Sequence, residues 1–588
     1  MYFQHVRRQF KMDYIKAYQI WMESTVVDED TKQELAQIKS DKKEIEERFY
    51  TDLAFGTGGL RGIIGAGTNR INIYTIRKAT QGMAQYIASQ GASASRRGVV
   101  IAYDSRYKSD VFAMEAAKVL AANGIKTYVF DELRPVPALS FAVRELGCIA
   151  GIMITASHNP AKYNGYKAYW EDGGQLPPES ADAVLAAINK IDIFKDVKVI
   201  AEDKAKAQGL IEIIGQEMDE KFLANVKAQS IHPEIAAKAA DDFKVIYTPF
   251  HGAGNKPVRK ILEMIGLENV LVVKEQEKPD PAFSTVKSPN PEDKEGFELA
   301  IALAKKENVD LIIGTDPDCD RVGIVVRNKQ GDYITMTGNQ VGVLLTDYIL
   351  SQKKQKGELP DNGVIIKTIV TSEMARAVTA HYNVEIMDVL TGFKFIGEKI
   401  KEFEQNGNQK QFIFGFEESY GYLAGTYARD KDAVVAAMLI AEMAAWYKIK
   451  GMSLYEAMQA LYEKYGVYLE DLISITMEGK AGQEKIAAIM QMLRENTPKS
   501  IGDVKITAFR DYKVGKRYDM INDSEETMEL PSSNVLYFEL EDKSWFVVRP
   551  SGTEPKVKLY FSVTADTTEQ AQQKMDHFKE AAIERIQS

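Results

Sequence analysis

Three aspartates, Asp316, Asp318 and Asp320, stand at alternate positions directly after a run of apolar residues. Carboxylates this close together repel one another unless they are paired, and oxygen ligands at this density suit a hard divalent cation such as Mg²⁺. The calcium-loop pattern does not fit, because its glycine and its final glutamate are missing at the expected offsets. Arg321 could neutralise the remaining negative charge or hold a phosphate oxygen. The alternative is an acidic turn satisfied by solvent.

A serine lies at the tip of a second loop. Residues 155–160 read Thr-Ala-Ser-His-Asn-Pro and follow another apolar run. Ser157 could be an exposed nucleophile there, and the side chain of Lys167 could face the same loop. Serine, asparagine and proline are also common turn residues, so an ordinary turn is the alternative.

A third loop, residues 549–555, combines a guanidinium, two hydroxyls and a glycine. Arg549 can make bidentate contacts to a phosphate, and backbone N–H groups around Gly552 can form an anion-binding nest. Ser551 and Thr553 add hydroxyl donors. This set matches a phosphate cradle, and a polar hairpin loop is the alternative.

A fourth loop, residues 415–421, places carboxylate and hydroxyl groups after a strand-like run. Glu417 and Ser419 are side chains of the kind that hold the vicinal hydroxyls of a sugar. The pattern by itself is not specific.

Two glycine-containing loops carry a single cation each. Residues 56–62 lack both the dinucleotide-binding spacing and the Lys-Ser/Thr pair of a phosphate loop, which argues against nucleotide binding there. Arg61 in this loop could still reach an anion, and a flexible turn is the alternative. Lys394 lies in the similar tight loop 391–394, where a structural role is the alternative.

The elements that must position these loops follow one pattern. A short, often β-branched apolar run ends in a polar loop, and a helix-like segment usually comes next. This alternation is typical of α/β units on mixed or parallel sheets, in which ligands bind beyond the carboxyl ends of the strands. The runs that we interpret as strands include residues 99–103, 151–154, 245–247, 311–314, 364–366 and 412–414.

Length and composition limit the class of protein. A chain of 588 residues predicts about three to five domains. A formal net charge of −10 gives no support to a nucleic-acid partner, and two cysteines cannot form a disulfide framework. The first residues lack the apolar core that a secretory signal needs, so we expect none. The most apolar stretch, residues 433–447, is too short to span a membrane and contains Glu442. We expect a cytoplasmic protein.

The predicted fold class is α/β: three α/β domains with mixed sheets and a smaller C-terminal α+β domain. Residues up to about 50 are predicted to form a charged, solvated helical arm. The predicted domains are residues 1–225 with the serine loop, 226–335 with the metal loop, 336–490 with the sugar loop, and 491–588 with the phosphate loop.

The four loops resemble the motifs of the α-D-phosphohexomutase family, and they occur in the family's order. The resemblance extends from residue 56 to residue 555, and four motifs in order are far more specific than any one of them. It implies that the domains surround a central cleft and that the protein is a monomer. It further implies that the enzyme interconverts glucose 1-phosphate and glucose 6-phosphate through a phosphoserine and glucose 1,6-bisphosphate.

The resemblance also assigns roles residue by residue. Ser157 is the phosphorylated serine, and an oxygen of its phosphoryl group joins the three aspartates as a Mg²⁺ ligand. Arg61 and Lys167 match cations beside the phosphoserine. The substrate-binding residues that it implies are Lys394, Glu417, Ser419, Arg549, Ser551, Gly552 and Thr553. Arg321 joins this predicted set on its charge alone, as a side chain that could hold a phosphate oxygen.

Several alternatives stay open at this point. Lys167 and His158 are both candidates for the base that deprotonates the attacking hydroxyl, with Lys167 preferred. Some relatives have a histidine where this chain has Gly421 and Tyr422, so a proton-transfer role cannot be transferred from them. Mannose or pentose phosphates are alternative substrates. A magnesium-dependent sugar phosphatase and a catalytically silent sensor are alternative functions.

Overall fold

The computed structural model describes residues 13–56, 58–239, 242–268, 270–477, 479–551 and 556–587. These residues form two compact units. The first unit holds the described chain up to Val325 together with Ile400–Glu402 and Gly421–Trp446. The second unit holds Val326–Lys399, Phe403–Tyr420 and the chain from Tyr447 onward.

The N-terminal segment forms three helices with a core of their own, α1 (Tyr14–Glu23), α2 (Glu29–Gln37) and α3 (Lys42–Phe49). The side chain of the aspartate before each helix accepts backbone N–H bonds from the first turn, which stabilises the helix start. Trp21 packs edge-to-face on Phe49, at a ring distance of 5.8 Å. The predicted helices are confirmed, but the arm is not merely solvated, because its aromatic side chains are buried.

The first sheet mixes parallel and antiparallel strands in the order β1-β5-β4-β2-β3-β6. Its strands are β1 (Gly59–Ile63), β2 (Val99–Tyr103), β3 (Thr127–Phe130), β4 (Ala150–Ile154), β5 (Tyr163–Trp170) and β6 (Ile211–Ile214). Its helices are α4 (Ile73–Ser89), α5 (Ala92–Arg97), α6 (Ser109–Ala122), α7 (Val136–Glu145), α8 (Pro178–Ile188) and α9 (Glu202–Ala207). Because β2 and β4 are parallel neighbours, the loops that follow them lie side by side.

The second sheet positions the aspartate loop. Strand β7 lies between β8 and β9 and runs parallel to both. The aspartates follow β9 at once, beyond its carboxyl end, as the apolar run predicts. The elements of this part are α10 (Gln216–Lys227), α11 (Ile235–Ala239), β7 (Val245–Thr248), α12 (Asn255–Met264), β8 (Leu271–Val272), α13 (Lys274–Glu277), a 3₁₀ turn (Lys294–Phe297), α14 (Glu298–Glu307), β9 (Leu311–Thr315) and β10 (Val322–Arg327).

A parallel arrangement recurs in the next part of the chain. Strand β12 lies between β13 and β14 and is parallel to both, and β14 ends at Glu417. The elements are β11 (Tyr333–Met336), α15 (Gly338–Lys356), β12 (Gly363–Thr368), α16 (Met374–Tyr382), β13 (Glu385–Val389), α17 (Phe393–Gln405), β14 (Gln411–Glu417), β15 (Gly421–Ala424), α18 (Ala433–Ile449) and α19 (Leu454–Tyr465).

The C-terminal part is an antiparallel sheet in the order β16-β23-β22-β21-β18-β19-β20. Its elements are β16 (Val467–Thr476), α20 (Gly479–Glu495), β17 (Ser500–Ile501), β18 (Val504–Asp511), β19 (Lys516–Asp519), β20 (Ser524–Thr527), β21 (Leu536–Leu540), β22 (Trp545–Pro550), β23 (Lys556–Ala565) and α21 (Thr568–Gln587). Strand β16 pairs with β23 along its whole length. The boundary at residue 490 stays a prediction, although this pairing favours one before β16.

The predicted fold class, α/β domains on mixed sheets followed by a C-terminal α+β part, is confirmed. All six apolar runs named above form strands. Among the described residues, no helix combines the length and the apolar character needed to cross a membrane.

Candidate active site

The aspartate loop after β9 forms a buried cluster that can hold a metal ion. Asp316, Asp318 and Asp320 are at most 1% exposed, and one oxygen of each lies within 4.8 Å of the others. Oδ1 of Asp318 and Oδ1 of Asp320 have no hydrogen-bond partner among the described residues. A buried carboxylate oxygen left without a partner is costly, so these two oxygens are well suited to a cation.

Backbone bonds fix the geometry of this loop. Oδ1 of Asp316 accepts the N–H groups of Asp320 and Arg321, at 3.1 and 2.9 Å. Burial, and then the neighbouring aspartate charges, raise the pKa of Asp316 well above its usual value. Protonation or a bound cation would relieve this crowding of negative charge.

Ser157 lies against the aspartate cluster. Its hydroxyl donates to Oδ2 of Asp316 at 3.0 Å and lies 3.3 Å from Nδ1 of His158. Ser157 is 159 positions away from Asp316 in sequence, and the two neighbouring sheets bring them together. Burial, and then the positive charges of Arg321 and Arg61, lower the pKa of His158 well below its usual value, so its imidazole is neutral.

The predicted cations surround the same place. Nζ of Lys167, on β5, lies 2.7 Å from Oδ2 of Asp318 and 3.3 Å from Oδ2 of Asp320. Burial disfavours the charge on Lys167, but these two carboxylates outweigh it and raise its pKa. Arg61, on β1, donates to Oδ1 of Asn159 in the serine loop at 3.2 Å.

Arg321 is held by a carboxylate beyond the cluster. Its Nη1 donates to Oε1 of Glu292 at 2.7 Å, and its Nε lies 4.0 Å from Oδ1 of Asp320. Arg321 therefore lies at the edge of the cluster, where the sequence places it.

One cation of the cluster, Lys431, was not predicted from the sequence. Nζ of Lys431 lies 3.2 Å from Oδ2 of Asp320, and a Cβ at Gly421 would lie 2.1 Å from Cδ of Lys431, so the glycine leaves room for this side chain. Burial raises the pKa of Asp320, but Lys431 and Lys167 outweigh burial and lower it. No local pattern around Lys431 marks it as a partner of a loop more than one hundred residues earlier.

The loop after β2 lies beyond the end of a strand, where the sequence predicts that ligands bind, but the sequence assigned no role to its residues. Asp104 and Arg106 are buried and bond to the serine loop, which follows the neighbouring strand β4. The signal was present in the sequence, because a polar Asp-Ser-Arg segment follows an apolar run there.

The predicted sugar loop lies in the second unit. Glu417 ends β14 and is buried, and the hydroxyl of Ser419 donates to its Oε2 at 3.3 Å. The neighbouring Glu418 accepts hydroxyl bonds from Thr368 and Thr371 at 3.2 Å each. These bonds attach the loop to the end of β12 and the segment that follows it.

The predicted phosphate-binding residues share the second unit with this loop. Nη1 of Arg549 lies 3.4 Å from the hydroxyl of Tyr560, and the N–H of Ser551 donates to the carbonyl of Lys556 at 2.8 Å. Burial, and then the charge of Glu418, raise the pKa of Tyr560. Gly552 and Thr553 lie outside the described residues.

Lys394 is the second residue of α17 and is half-buried. Burial lowers its pKa, and the positive charge of Arg549 lowers it further, whereas Glu398 raises it.

Comparison with known proteins adds independent findings. Models described as phosphoglucomutase/phosphomannomutase match the chain in four parts: alpha/beta/alpha domain I at residues 52–194, domain II at 220–331, domain III at 337–465 and the C-terminal domain at 472–580. A curated phosphoglucomutase from Staphylococcus epidermidis is 39% identical over 536 residues, which cover 91% of this chain and 95% of the relative. One from Staphylococcus aureus strain USA300 is 37% identical over 539 residues, covering 91% and 94%.

Solved structures support the fold. Parafusin from Paramecium, a phosphoglucomutase in an open form, is 17% identical with a TM-score of 0.67, over 90% of this chain and 95% of its own. A phosphoglucomutase/phosphomannomutase family protein from Burkholderia thailandensis is 17% identical with a TM-score of 0.64, over 90% and 97%.

Proposed function

The chain belongs to the phosphoglucomutase/phosphomannomutase family and is a mutase, and we propose that it interconverts glucose 1-phosphate and glucose 6-phosphate. The observation that carries this proposal is the contact of the Ser157 hydroxyl with the buried aspartate cluster. A nucleophile beside a cation site is what phosphoryl transfer requires. The curated relatives named above support glucose as the sugar.

In this proposal Asp316, Asp318 and Asp320 hold Mg²⁺, together with an oxygen of phosphorylated Ser157. When bound, the ion stabilises negative charge on the oxygens around the transferring phosphorus. The free oxygens of Asp318 and Asp320 support this assignment.

Phosphorylated Ser157 carries about −1.5 to −2 charges at neutral pH. Arg61 and Lys167 offset part of that charge, so a sugar hydroxyl can approach the phosphorus. The new bond forms between the sugar oxygen and phosphorus, and the bond between phosphorus and Oγ of Ser157 breaks. The proton of the sugar hydroxyl passes to a base, and the released Oγ of Ser157 takes up a proton and becomes a hydroxyl again. The product is glucose 1,6-bisphosphate, which turns around and returns its other phosphate to Ser157.

The base is one of two side chains near Ser157. The carboxylates that raise the pKa of Lys167 are the proposed metal ligands, so a bound cation would offset them and lower that pKa. Lys167 therefore stays the preferred base. His158, whose neutral ring lies 3.3 Å from the Ser157 oxygen, is the other candidate.

The second unit supplies recognition in this proposal. Glu417 and Ser419 bind sugar hydroxyls, and Lys394 lies at the far end of the sugar. The phosphate that is not transferred is gripped by the residues Arg549, Ser551, Gly552 and Thr553. The expected central cleft would exclude water, which otherwise hydrolyses the phosphoserine.

We also propose the four-domain division at residues 225, 335 and 490, a monomeric state and a cytoplasmic location. These rest on the sequence and on the resemblance to the family.

The test is an assay with glucose 1-phosphate, Mg²⁺ and a trace of glucose 1,6-bisphosphate. We expect glucose 6-phosphate without release of inorganic phosphate. Phosphate release without glucose 6-phosphate would instead indicate a phosphatase, and no turnover would indicate a sensor. Turnover of mannose, ribose and deoxyribose 1-phosphates beside glucose 1-phosphate then ranks the sugars.

A further inference from the structure

The backbone of Ser157 has an unusual conformation. Its φ is +52°, in the left-handed region that side chains with a Cβ adopt only at a cost. Such conformations persist where the surroundings determine them, and they concentrate at functional sites. The two peptide groups that flank Ser157 show what holds it.

Both flanking groups bond to side chains from outside the loop tip. The N–H of Ser157 donates to Oγ1 of Thr155 at 2.8 Å. The carbonyl of Ser157 accepts from Nη2 of Arg106. The residue is therefore fixed on its N-terminal side by one side chain and on its C-terminal side by another.

The two terminal nitrogens of Arg106 are fully used by contacts with the serine loop. Arginine has five N–H donors, and here Nη2 faces the carbonyls of Ser157 and Asn159, while Nη1 faces those of Pro160 and Tyr163 at 3.1 Å each. Its Nε pairs with Asp104 at 3.2 Å. Neither terminal nitrogen has an N–H left for a phosphate unless a bond to the loop is broken, and Nε is buried and makes no hydrogen bond among the described residues. Arg106 therefore binds the loop rather than an anion.

Asp104 connects the two sides of this arrangement. Its Oδ2 accepts the hydroxyl of Thr155 at 2.6 Å and pairs with Arg106, and its Oδ1 accepts the N–H of Arg106 at 3.0 Å and the hydroxyl of Ser109 at 2.9 Å. A hydroxyl has a single proton. Oδ2 of Asp318 also lies within reach of this hydroxyl, at 3.2 Å, but the bond to Asp104 is much shorter and takes the proton. The lone pairs of Thr155 therefore stay available for the N–H of Ser157.

We propose that Asp104, Arg106 and Thr155 are positioning residues that hold Ser157 in its left-handed conformation and so set the direction of its oxygen. This inference rests on the proposed role of Ser157 as the phosphorylated nucleophile. Arg106 and Asp104 act through the serine loop, and Thr155 contacts both the N–H of Ser157 and Oδ2 of Asp318. Their loss therefore changes the rate of transfer and leaves sugar binding by the second unit as it is, and Arg106→Lys is the variant that tests positioning without touching a proposed metal ligand.

The test compares kcat with KM in two variants. Thr155→Val removes the hydroxyl at nearly constant volume, and Arg106→Lys cannot span four carbonyls with one ammonium. A displacement of the nucleophile by about 1 Å costs about 100-fold in rate. For both variants we expect kcat to fall at least tenfold, with KM for glucose 1-phosphate within twofold of the unchanged enzyme.

Matched controls separate this effect from a general loss of packing. Thr346→Val removes a buried hydroxyl that donates to the carbonyl of Gly342 in its own helix. Arg48→Lys alters a paired arginine of the N-terminal arm. Both controls should keep kcat. Thr155→Ser retains the hydroxyl and should recover most of the kcat that Thr155→Val loses.

Intact-mass analysis of each protein after exposure to glucose 1,6-bisphosphate distinguishes a failure of the positioning proposal from a failure of the proposed function. If Ser157 carries a phosphoryl group in the active enzyme and both variants keep their kcat, the positioning proposal is overturned and the proposed function stands. An active enzyme that is never phosphorylated at Ser157 overturns the proposed function itself. If Thr155→Val does not fold, Arg106→Lys decides, and a KM that rises as much as kcat falls also counts against positioning.

Discussion

Nζ of Lys431 lies 3.2 Å from Oδ2 of Asp320, the same oxygen that Lys167 approaches at 3.3 Å. Two ammonium groups therefore share one carboxylate oxygen of the aspartate cluster, while the other oxygen of Asp320 has no hydrogen-bond partner within the described chain. Each ammonium offsets negative charge that a metal ion would otherwise offset. Lys167 and Lys431, which are far from the aspartates in sequence, thus reduce the net negative charge of the cluster.

This arrangement predicts the effect of Lys431→Met on the metal requirement. Removing one positive charge about 3 Å from a ligand oxygen strengthens attraction for a divalent cation. We expect the Mg²⁺ concentration for half-maximal activity to fall about threefold to tenfold, as measured by titrating the metal at saturating substrate. Lys305→Met, on the exposed face of α14, is the control and should leave the requirement unchanged. An unchanged or higher requirement in Lys431→Met would contradict the prediction.

Ser157→Ala tests the nucleophile itself. Without the hydroxyl no phosphoserine can form, so we expect isomerisation to be lost by at least 1,000-fold, since covalent catalysis has no substitute at this position. Binding of glucose 1-phosphate, measured by calorimetry, should change less than threefold. Ser351→Ala, which removes a hydroxyl bonded to its own helix, should keep full activity. Near-normal turnover in Ser157→Ala would refute the assignment.

The sequence predicted the parts of the site that are local in the chain. Three aspartates within five positions of a strand end define the metal cluster without any knowledge of the fold, and the strand before them is confirmed as β9. Lys431 was not predicted, because its partner lies on a different element and its contact depends on how α18 is placed. The same holds for Arg106, whose role depends on the φ of a residue 51 positions later.

The fold shows the same division between local and distant information. Apolar runs predicted the strands, since burial on both faces of a parallel strand leaves a continuous apolar pattern. The antiparallel strand β5 was not predicted, because its residues Tyr163–Trp170 mix polar and aromatic side chains and include the site residue Lys167. Pairing of β16 with β23 joins residues about ninety positions apart, and no local pattern specifies it.

Arg549→Ala tests the phosphate-gripping loop. The guanidinium gives bidentate contacts that alanine cannot replace. We expect KM for glucose 1-phosphate to rise about tenfold to 100-fold, with a smaller change in kcat, in steady-state kinetics. Arg517→Ala, which removes an arginine paired with Glu539 in the same sheet, should leave KM unchanged. An unchanged KM in Arg549→Ala would remove this residue from the binding site.

A buried carboxyl outside the proposed chemistry gives a prediction on stability. Asp432 is fully buried before α18, and burial raises its pKa to about 6 despite hydrogen bonds from Tyr427 and two backbone N–H groups. In the unfolded chain its pKa returns to 3.8. The folded state therefore binds more protons between these values, and the stability that this group contributes is complete below 3.8 and is lost as pH rises through 6.

Asp432→Asn removes this titration while keeping an oxygen for the two N–H groups. A difference of about 2 pKa units corresponds to at most about 3 kcal/mol in the free energy of unfolding. The unchanged protein loses all of this stability at pH 8 and only part of it at pH 5. We expect the variant to raise the melting temperature at pH 8 by more than at pH 5, in thermal unfolding followed by circular dichroism. Asp576→Asn, at an exposed position of α21, should shift neither value. A variant that is destabilised equally at both pH values would show that the charged carboxylate is needed for the helix start, and would contradict the prediction.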